Sequence, residues 1–188
     1  MNSNSLNINK IKTHLIFKLL YRWSYLGAVT EGFNSSDVFG IRRNFYTNEF
    51  EIKLTKNDLL QEVNIISRII KNKTTLGCRG SRNKVYKHAD YLGYEKRYFN
   101  DFIPNEFNFV VSKEFECIKS KLKDTPYGLY VFEIIDGFFE IERILDSRKL
   151  HKNKIDIKYI PRFFRKLSTE NELLREKMYL NWLNNYYL

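Results

Sequence analysis

Apolar and polar residues alternate strictly between Glu49 and Leu54. Phe50, Ile52 and Leu54 fall on one face of an extended segment, and Glu49, Glu51 and Lys53 fall on the other. The pattern predicts a β-strand in which Glu51 and Lys53 point the same way, roughly 7 Å apart at about 3.3 Å rise per residue. Val38 and Phe39 open a second apolar segment that runs to Gly40-Ile41-Arg42. Between the two lies Arg43-Asn44-Phe45-Tyr46-Thr47-Asn48, rich in turn formers and short enough for a hairpin. A hairpin closing near Asn44 sets Asp37 opposite or diagonal to Glu51.

After Leu54 the period changes from two to 3.6. Thr55 and Asp58 match the Ser/Thr-x-x-Asp/Glu capping pattern, and Leu59, Val63, Ile66 and Ile70 recur at helical spacing. The expected helix lays its apolar stripe on the Phe50/Ile52/Leu54 face, with Asp58, Gln61 and Glu62 in its first turns. Upstream, residues 8–25 read as a basic amphipathic helix with Ile11, Leu15, Leu19 and Trp23 on one face and Lys12, Lys18 and Arg22 elsewhere. Gly27-Ala28-Val29-Thr30 reads as the first strand. Downstream, Phe107 to Val111 is a predicted strand and Lys113 to Lys123 a predicted helix. Tyr127 to Glu133 and Phe138 to Ile144 pair around Asp136-Gly137, a good hairpin turn. Ser168 to Leu183, with a Thr169/Glu172 capping pair, reads as a C-terminal helix packing on the core or on a second subunit. The order of elements predicts an α/β fold: a central mixed sheet flanked by helices over residues 1–150, with a helical extension over residues 151–188.

The polar face of the Glu49–Lys53 strand carries candidate chemistry. Adjacent strands lie about 4.8 Å apart, so carboxylates at Asp37 and Glu51 can both reach one hard cation through oxygen ligands about 2.1 Å away. Without a cation the two repel. Mg²⁺ or Mn²⁺ removes that conflict and brings phosphodiester hydrolysis within reach. Lys53 would then hold or deprotonate the attacking water, or offset charge growing on the phosphate.

Charge points to the same class of partner. Lysine and arginine total 32 against 22 acidic residues, a net charge of +10, which favours a polyanion. The most basic stretch is read as a loop from Lys71 to Lys87. Lys71, Lys73, Arg79, Arg82, Lys84 and Lys87 occur there with no acidic residue among them, so it is a candidate to follow a phosphate backbone. About six neutralised phosphates would give a log–log salt slope near −5 on duplex DNA. The two cysteines and three histidines are scattered without zinc-ligand spacing. The apolar run from Leu15 to Tyr21 is interrupted by Lys18 and too short to span a bilayer. The expected setting is a reducing cytoplasm, that of a host cell if the chain is viral.

These residues resemble the PD-(D/E)XK nuclease superfamily, and more narrowly its small phage and bacterial members, including the MmcB-like DNA-repair branch. The resemblance covers roughly Trp23 to Val131. It rests on the strand with Asp37-x-x-Gly40, on Glu51-Ile52-Lys53-Leu54-Thr55-Lys56-Asn57-Asp58-Leu59, on Ile103-Pro104-Asn105-Glu106-Phe107 and on Tyr127-Gly128-Leu129-Tyr130-Val131. It implies a restriction-endonuclease-like sheet, Asp37 and Glu51 as metal ligands, Lys53 as the catalytic lysine and the Ile52 carbonyl as a further ligand. Ser36 stands where the family motif has proline. No acidic residue precedes Glu31, which is left to supply the third carboxylate directly or through water. Gln61 is a candidate helper near substrate or water.

The expected activity is Mg²⁺- or Mn²⁺-dependent cleavage of DNA phosphodiester bonds, with RNA open as a partner, no membrane partner, and dimerisation open. The alternative is a catalytically weak or inactive nucleic-acid-binding protein, a repair accessory or a virion component, on the same fold.

Overall fold

Six strands lie side by side in chain order in one mixed sheet: β1 (Tyr25–Thr30), β2 (Val38–Arg42), β3 (Thr47–Lys53), β4 (Glu106–Ser112), β5 (Gly128–Ile135) and β6 (Phe138–Leu145). The computed structural model describes residues 7–31, 36–78, 80–94, 102–136 and 138–170. A short turn joins β2 to β3, and the β1–β2, β2–β3 and β5–β6 pairs are antiparallel. The β3–β4 and β4–β5 pairs are parallel, because helical crossovers connect them. The β2–β3 register runs from Val38 opposite Phe50 to Ile41 opposite Thr47, centred on Asn44, with Phe45 at φ +64° closing the turn. In the β5–β6 hairpin Ile135 faces Phe138 and Asp136 adopts φ +51°.

Helix α1 (Ile8–Tyr21) starts at Asn7, whose side chain accepts from Asn9 N at 2.9 Å. Its buried Ile11, Leu15 and Leu19 pack on Val38, Phe50, Ile52, Val110 and Tyr130. Helix α2 (Lys56–Asn72) lies on the opposite face, where Leu59, Val63 and Ile66 meet Phe107, Phe109 and Val111. The expectation that α2 covers Phe50 and Ile52 is therefore corrected: α1 covers them. Period-two alternation says which residues share a face, but the handedness of the β3-to-β4 crossover selects the face its helices occupy.

A second correction concerns residues 82–91. The stretch Lys71 to Lys87 reads as a loop, but Lys71 lies in α2 and the second half of the stretch enters α3 (Arg82–Tyr91), whose Val85 and Ala89 pack on Ile65 and Ile69 of α2. Val85 and Ala89 are spaced i, i+4, but the lysines around them hide that stripe. The segment after β4 is a 3-10 stretch (Lys113–Ile118) followed by a single turn, α4 (Lys119–Leu122), instead of one continuous helix. The C-terminal helix also begins earlier than Ser168. A 3-10 turn at Ile157–Tyr159, capped by Asp156, leads into helical residues 160–170, here α5, with Pro161 in its first turn. Phe163 of α5 is buried among Val29, Phe39, Ile41 and Phe102. Glu172, the second member of the expected capping pair, lies outside the described residues.

Thr55 caps α2 as its spacing predicts, accepting from Asp58 N at 3.3 Å. Thr55→Ala is expected to lower stability by about 1 kcal/mol, read as a shifted urea midpoint at unchanged slope. No shift would show that water serves the helix start equally well. Among the described residues no helix is long and apolar enough to cross a membrane.

Candidate functional site

Glu49, Glu51 and Lys53 leave β3 toward α2 and α3, whose charged residues meet them. Lys53 is 2% exposed. Its Nζ lies 2.9 Å from Glu51 Oε1, 3.3 Å from Asp58 Oδ2 and 2.7 Å from Glu62 Oε2. Lys84 of α3 approaches Asp58 at 2.7 Å and Glu62 at 2.9 Å. Lys87 of α3 reaches Glu49 at 2.5 Å and Glu51 at 3.1 Å. Tyr91 O–H donates to Glu49 Oε2 at 2.6 Å. His88 Nε2 lies 2.9 Å from Glu62 Oε1, and its Nδ1 lies 3.0 Å from the Tyr127 hydroxyl. A neutral His88 that donates from Nε2 to Glu62 accepts at Nδ1 from Tyr127.

Burial and pairing oppose each other across this network. Burial works against the Lys53 charge, but Glu51 and Glu62 outweigh it and hold the ammonium above its ordinary range. Lys87 is raised in the same way, burial being overcome by Glu49 and Glu51. Burial pushes Glu49 up to about 7 against the pull of Lys87 and Tyr91. Glu62 is also desolvated, yet His88 and Lys53 bring it below the carboxylate range. Burial lowers His88, with Glu62 opposing.

A second group of charges sits at the adjoining corner, where β1 ends and β2 begins. One step beyond the Val38–Phe50 pair, the register sets Asp37 across from Glu51. Asp37 Oδ2 accepts from Ile52 N at 2.8 Å, and Oδ1 lies 3.0 Å from Lys12 Nζ. Lys12 also pairs with Glu31, which turns the chain at φ +45° and donates from its backbone N to Asp37 O at 3.1 Å. Burial weighs against the Lys12 charge, but Glu31 and Asp37 raise it. In an extended strand the N–H and C=O of one residue face the same neighbouring strand, so the Ile52 carbonyl faces the β2 side.

The expected site residues are thus only partly gathered. Asp37, Ile52 and Glu31 share a corner, and Glu51 and Lys53 form a pair beside it. The Asp37 and Glu51 carboxylates are turned to different partners, Lys12 and the Ile52 N–H for one, Lys53 and Lys87 for the other. Gln61 is an exposed side chain on α2. Lys71 and Lys73 are exposed at the far end of that helix, about 20 Å from Asp58 at 1.5 Å rise per residue. Arg82 is exposed at the start of α3, and Arg79 lies outside the described residues. Lys84 and Lys87 lie on α3 instead of in a loop and pair with the buried carboxylates of Glu62 and Glu49.

Sequence reasoning gave no role to Glu49, Glu62, Lys12, His88 or Tyr91. Two signals were present: Glu49 shares the strand face of Glu51 and Lys53, and Lys84, Lys87, His88 and Tyr91 recur at three- and four-residue steps, one face of a helix.

Among the described residues no group of three or more His, Cys, Asp or Glu side chains is arranged to hold a metal ion. Asp37 at the corner and Glu51 beside it are hard oxygen donors of the kind that Mg²⁺ and Mn²⁺ take, each held by its own N–H or ammonium partners. Across both groups six carboxylates, Glu31, Asp37, Glu49, Glu51, Asp58 and Glu62, stand with Lys12, Lys53, Lys84, Lys87 and, at the Glu31 carbonyl, Lys166.

No family model matches the chain, and no curated protein matches it. Among solved structures it is similar to the SPO1766 protein of unknown function from Silicibacter pomeroyi, at 12% identity and a TM-score of 0.51, over 93% of this chain and 92% of that one. The likeness extends over nearly the whole of both chains, and it bears on the fold alone: an α/β arrangement around a six-stranded mixed sheet.

Proposed function

We propose that this chain is a divalent-metal-dependent nuclease on a restriction-endonuclease-like fold, hydrolysing phosphodiester bonds of DNA. The reading is carried by the β2–β3 register, which sets Asp37 across from Glu51, with the Ile52 backbone on the Asp37 carboxylate and Lys53 on Glu51. Asp37, Glu51 and the Ile52 carbonyl are the residues that would hold Mg²⁺ or Mn²⁺, with Glu31 next to them. The ion, when bound, supplies Lewis-acid polarisation of a phosphoryl oxygen and a more acidic water.

The chain's own groups divide the remaining work. Lys53, pressed between three carboxylates, keeps its proton, so it orients a water or offsets charge on the phosphate and does not serve as a base. Asp58 and Glu62 fix its position from α2. Lys12 and Lys87 compensate the carboxylates from the two faces of the sheet. The net charge of +10 draws a polyanionic substrate toward them.

One observation favours a second reading, a nucleic-acid-binding protein without cleavage. Both oxygens of Asp37 and both of Glu51 already meet an N–H or an ammonium. Incubation with supercoiled circular DNA and Mg²⁺ or Mn²⁺ separates the two. Nicking or linearisation that stops with chelator is the expected result. Retained binding with no cleavage of any duplex, single-stranded or RNA substrate would establish the second reading in its place.

A further inference from the structure

A cavity of about 970 Å³ lies away from the carboxylates, between the C-terminal half of α1, the start of β1 and strands β5 and β6. It is at the upper end of the volumes that hold small organic ligands, about 300–1,000 Å³. Tyr25 and Arg42 are among its lining residues. They sit at the opposite ends of β1 and β2 from Thr30 and Asp37, about 17 Å away at 3.3 Å per residue.

Two kinds of side chain meet there. His14, Phe17, Lys18 and Tyr21 recur at helical spacing on the outer side of α1. Phe17 is 55% exposed and Tyr21 72%, and their rings lie 4.7 Å apart. His14 stacks at 4.8 Å on Phe139 of β6, and Trp23 at 5.3 Å on Tyr130 of β5. The rings of His14, Phe17, Trp23, Tyr130 and Phe139 line the cavity beside Lys18, Arg22, Arg42 and Arg143, against the carboxylates Glu140 and Glu142, and Tyr21 extends this aromatic surface from outside the lining through its contact with Phe17. Lys18 holds Glu140 at 2.8 Å, Arg42 holds Glu106 at 2.7 Å, and Arg143 meets Asp146 at 3.0 Å. A purely apolar partner would leave the exposed guanidinium groups of Arg22 and Arg143 without use. A bare polyphosphate would leave the ring faces unused. Single-stranded nucleic acid uses both, stacking bases on aromatic faces while its phosphates meet the cations.

We infer that this cleft binds single-stranded nucleic acid, through stacking on Phe17, Tyr21 and Trp23 and phosphate contacts to Arg22 and Arg143. The proposal goes beyond the nuclease reading and does not depend on cleavage, since the cleft is separate from the Asp37–Glu51 corner.

The chain has two tryptophans, so Trp182→Phe leaves Trp23 as the single reporter. This variant is titrated, with chelator present to prevent cleavage, against oligothymidylate, oligouridylate, a duplex of equal length and inorganic polyphosphate. Saturable quenching of Trp23 by a single strand, stronger than by duplex or polyphosphate, is expected. The preferred single strand identifies the sugar recognised. The Phe17→Ala/Tyr21→Ala double variant should raise Kd about tenfold or more. Both rings are exposed, so the fold is not at stake. Arg22→Ala and Arg143→Ala should each reduce the log–log salt slope by about 0.7. Equal responses to polyphosphate and oligonucleotide, or an unchanged Kd in the double variant, would overturn the proposal. DNA cleavage with no Trp23 response would overturn it too, and would leave the Asp37–Glu51 reading standing.

Discussion

Glu51→Gln is expected to fold normally and to lose metal-dependent cleavage by about three orders of magnitude or more. Glu51 is the carboxylate that β3 presents across from Asp37, and the amide keeps its shape while removing the charge that attracts a divalent ion. An ion polarising the phosphate contributes several kcal/mol of transition-state stabilisation, and each 1.36 kcal/mol is tenfold in rate. Asp37→Asn is the matched test. The amide oxygen can still accept from the Ile52 N–H, now at 2.8 Å from the carboxylate, so the corner is held while the charge is lost. Single-turnover cleavage of a labelled duplex measures both, with circular dichroism confirming the fold. Rates within tenfold of wild type for both variants would remove these carboxylates from the chemistry.

The second large effect concerns stability. Glu62→Ala is expected to destabilise the protein by about 3–5 kcal/mol, the range for removing one partner of a buried ion pair. Glu62 is 1% exposed and serves Lys53 at 2.7 Å, Lys84 at 2.9 Å and His88 at 2.9 Å. Its loss strands a His88 N–H and strips one of three carboxylates from a buried ammonium. Such a cost is a large share of the roughly 5–15 kcal/mol that holds a domain together. At about 2–4 °C per kcal/mol for a chain of this size, Tm should fall by about 10 °C. Glu62→Gln, which still accepts from His88, should fall by less. A Glu62→Ala melt within about 2 °C of wild type would mean that water or a rearranged lysine replaces the carboxylate at little cost.

The hairpin that carries this site was legible in the sequence because its determinants are local. Turn formers around Asn44 centre the register, and that centre alone places Asp37 against Glu51. Thr55 and the Asp136 turn were legible for the same reason. The surroundings of the site were not. Glu49, Glu51 and Lys53 read as a wet strand face, yet two helices cover them. The covering helices bring their own charges, and matched burial leaves no apolar signature for periodicity to find. Lys84 and Lys87 show the same difficulty. A run of cations suggests a phosphate contact, and only the fold reveals carboxylates beneath it. Lys12 lies off the apolar face that periodicity marks on α1, and the corner at Glu31 and Asp37 turns it inward.

That corner also has a temporal consequence. Lys166 of α5 donates to the Glu31 carbonyl, and Glu170 accepts from Thr30 N and Oγ1 at 2.9 Å. Lys12, by contrast, arrives from the first helix. Synthesis delivers the N-terminal portion first, so a growing polypeptide has its opening helix and hairpin well before the residues that brace Thr30 and Glu31. The brace closes only after α5 has been made, and a product terminated before it would present the β1 edge without it.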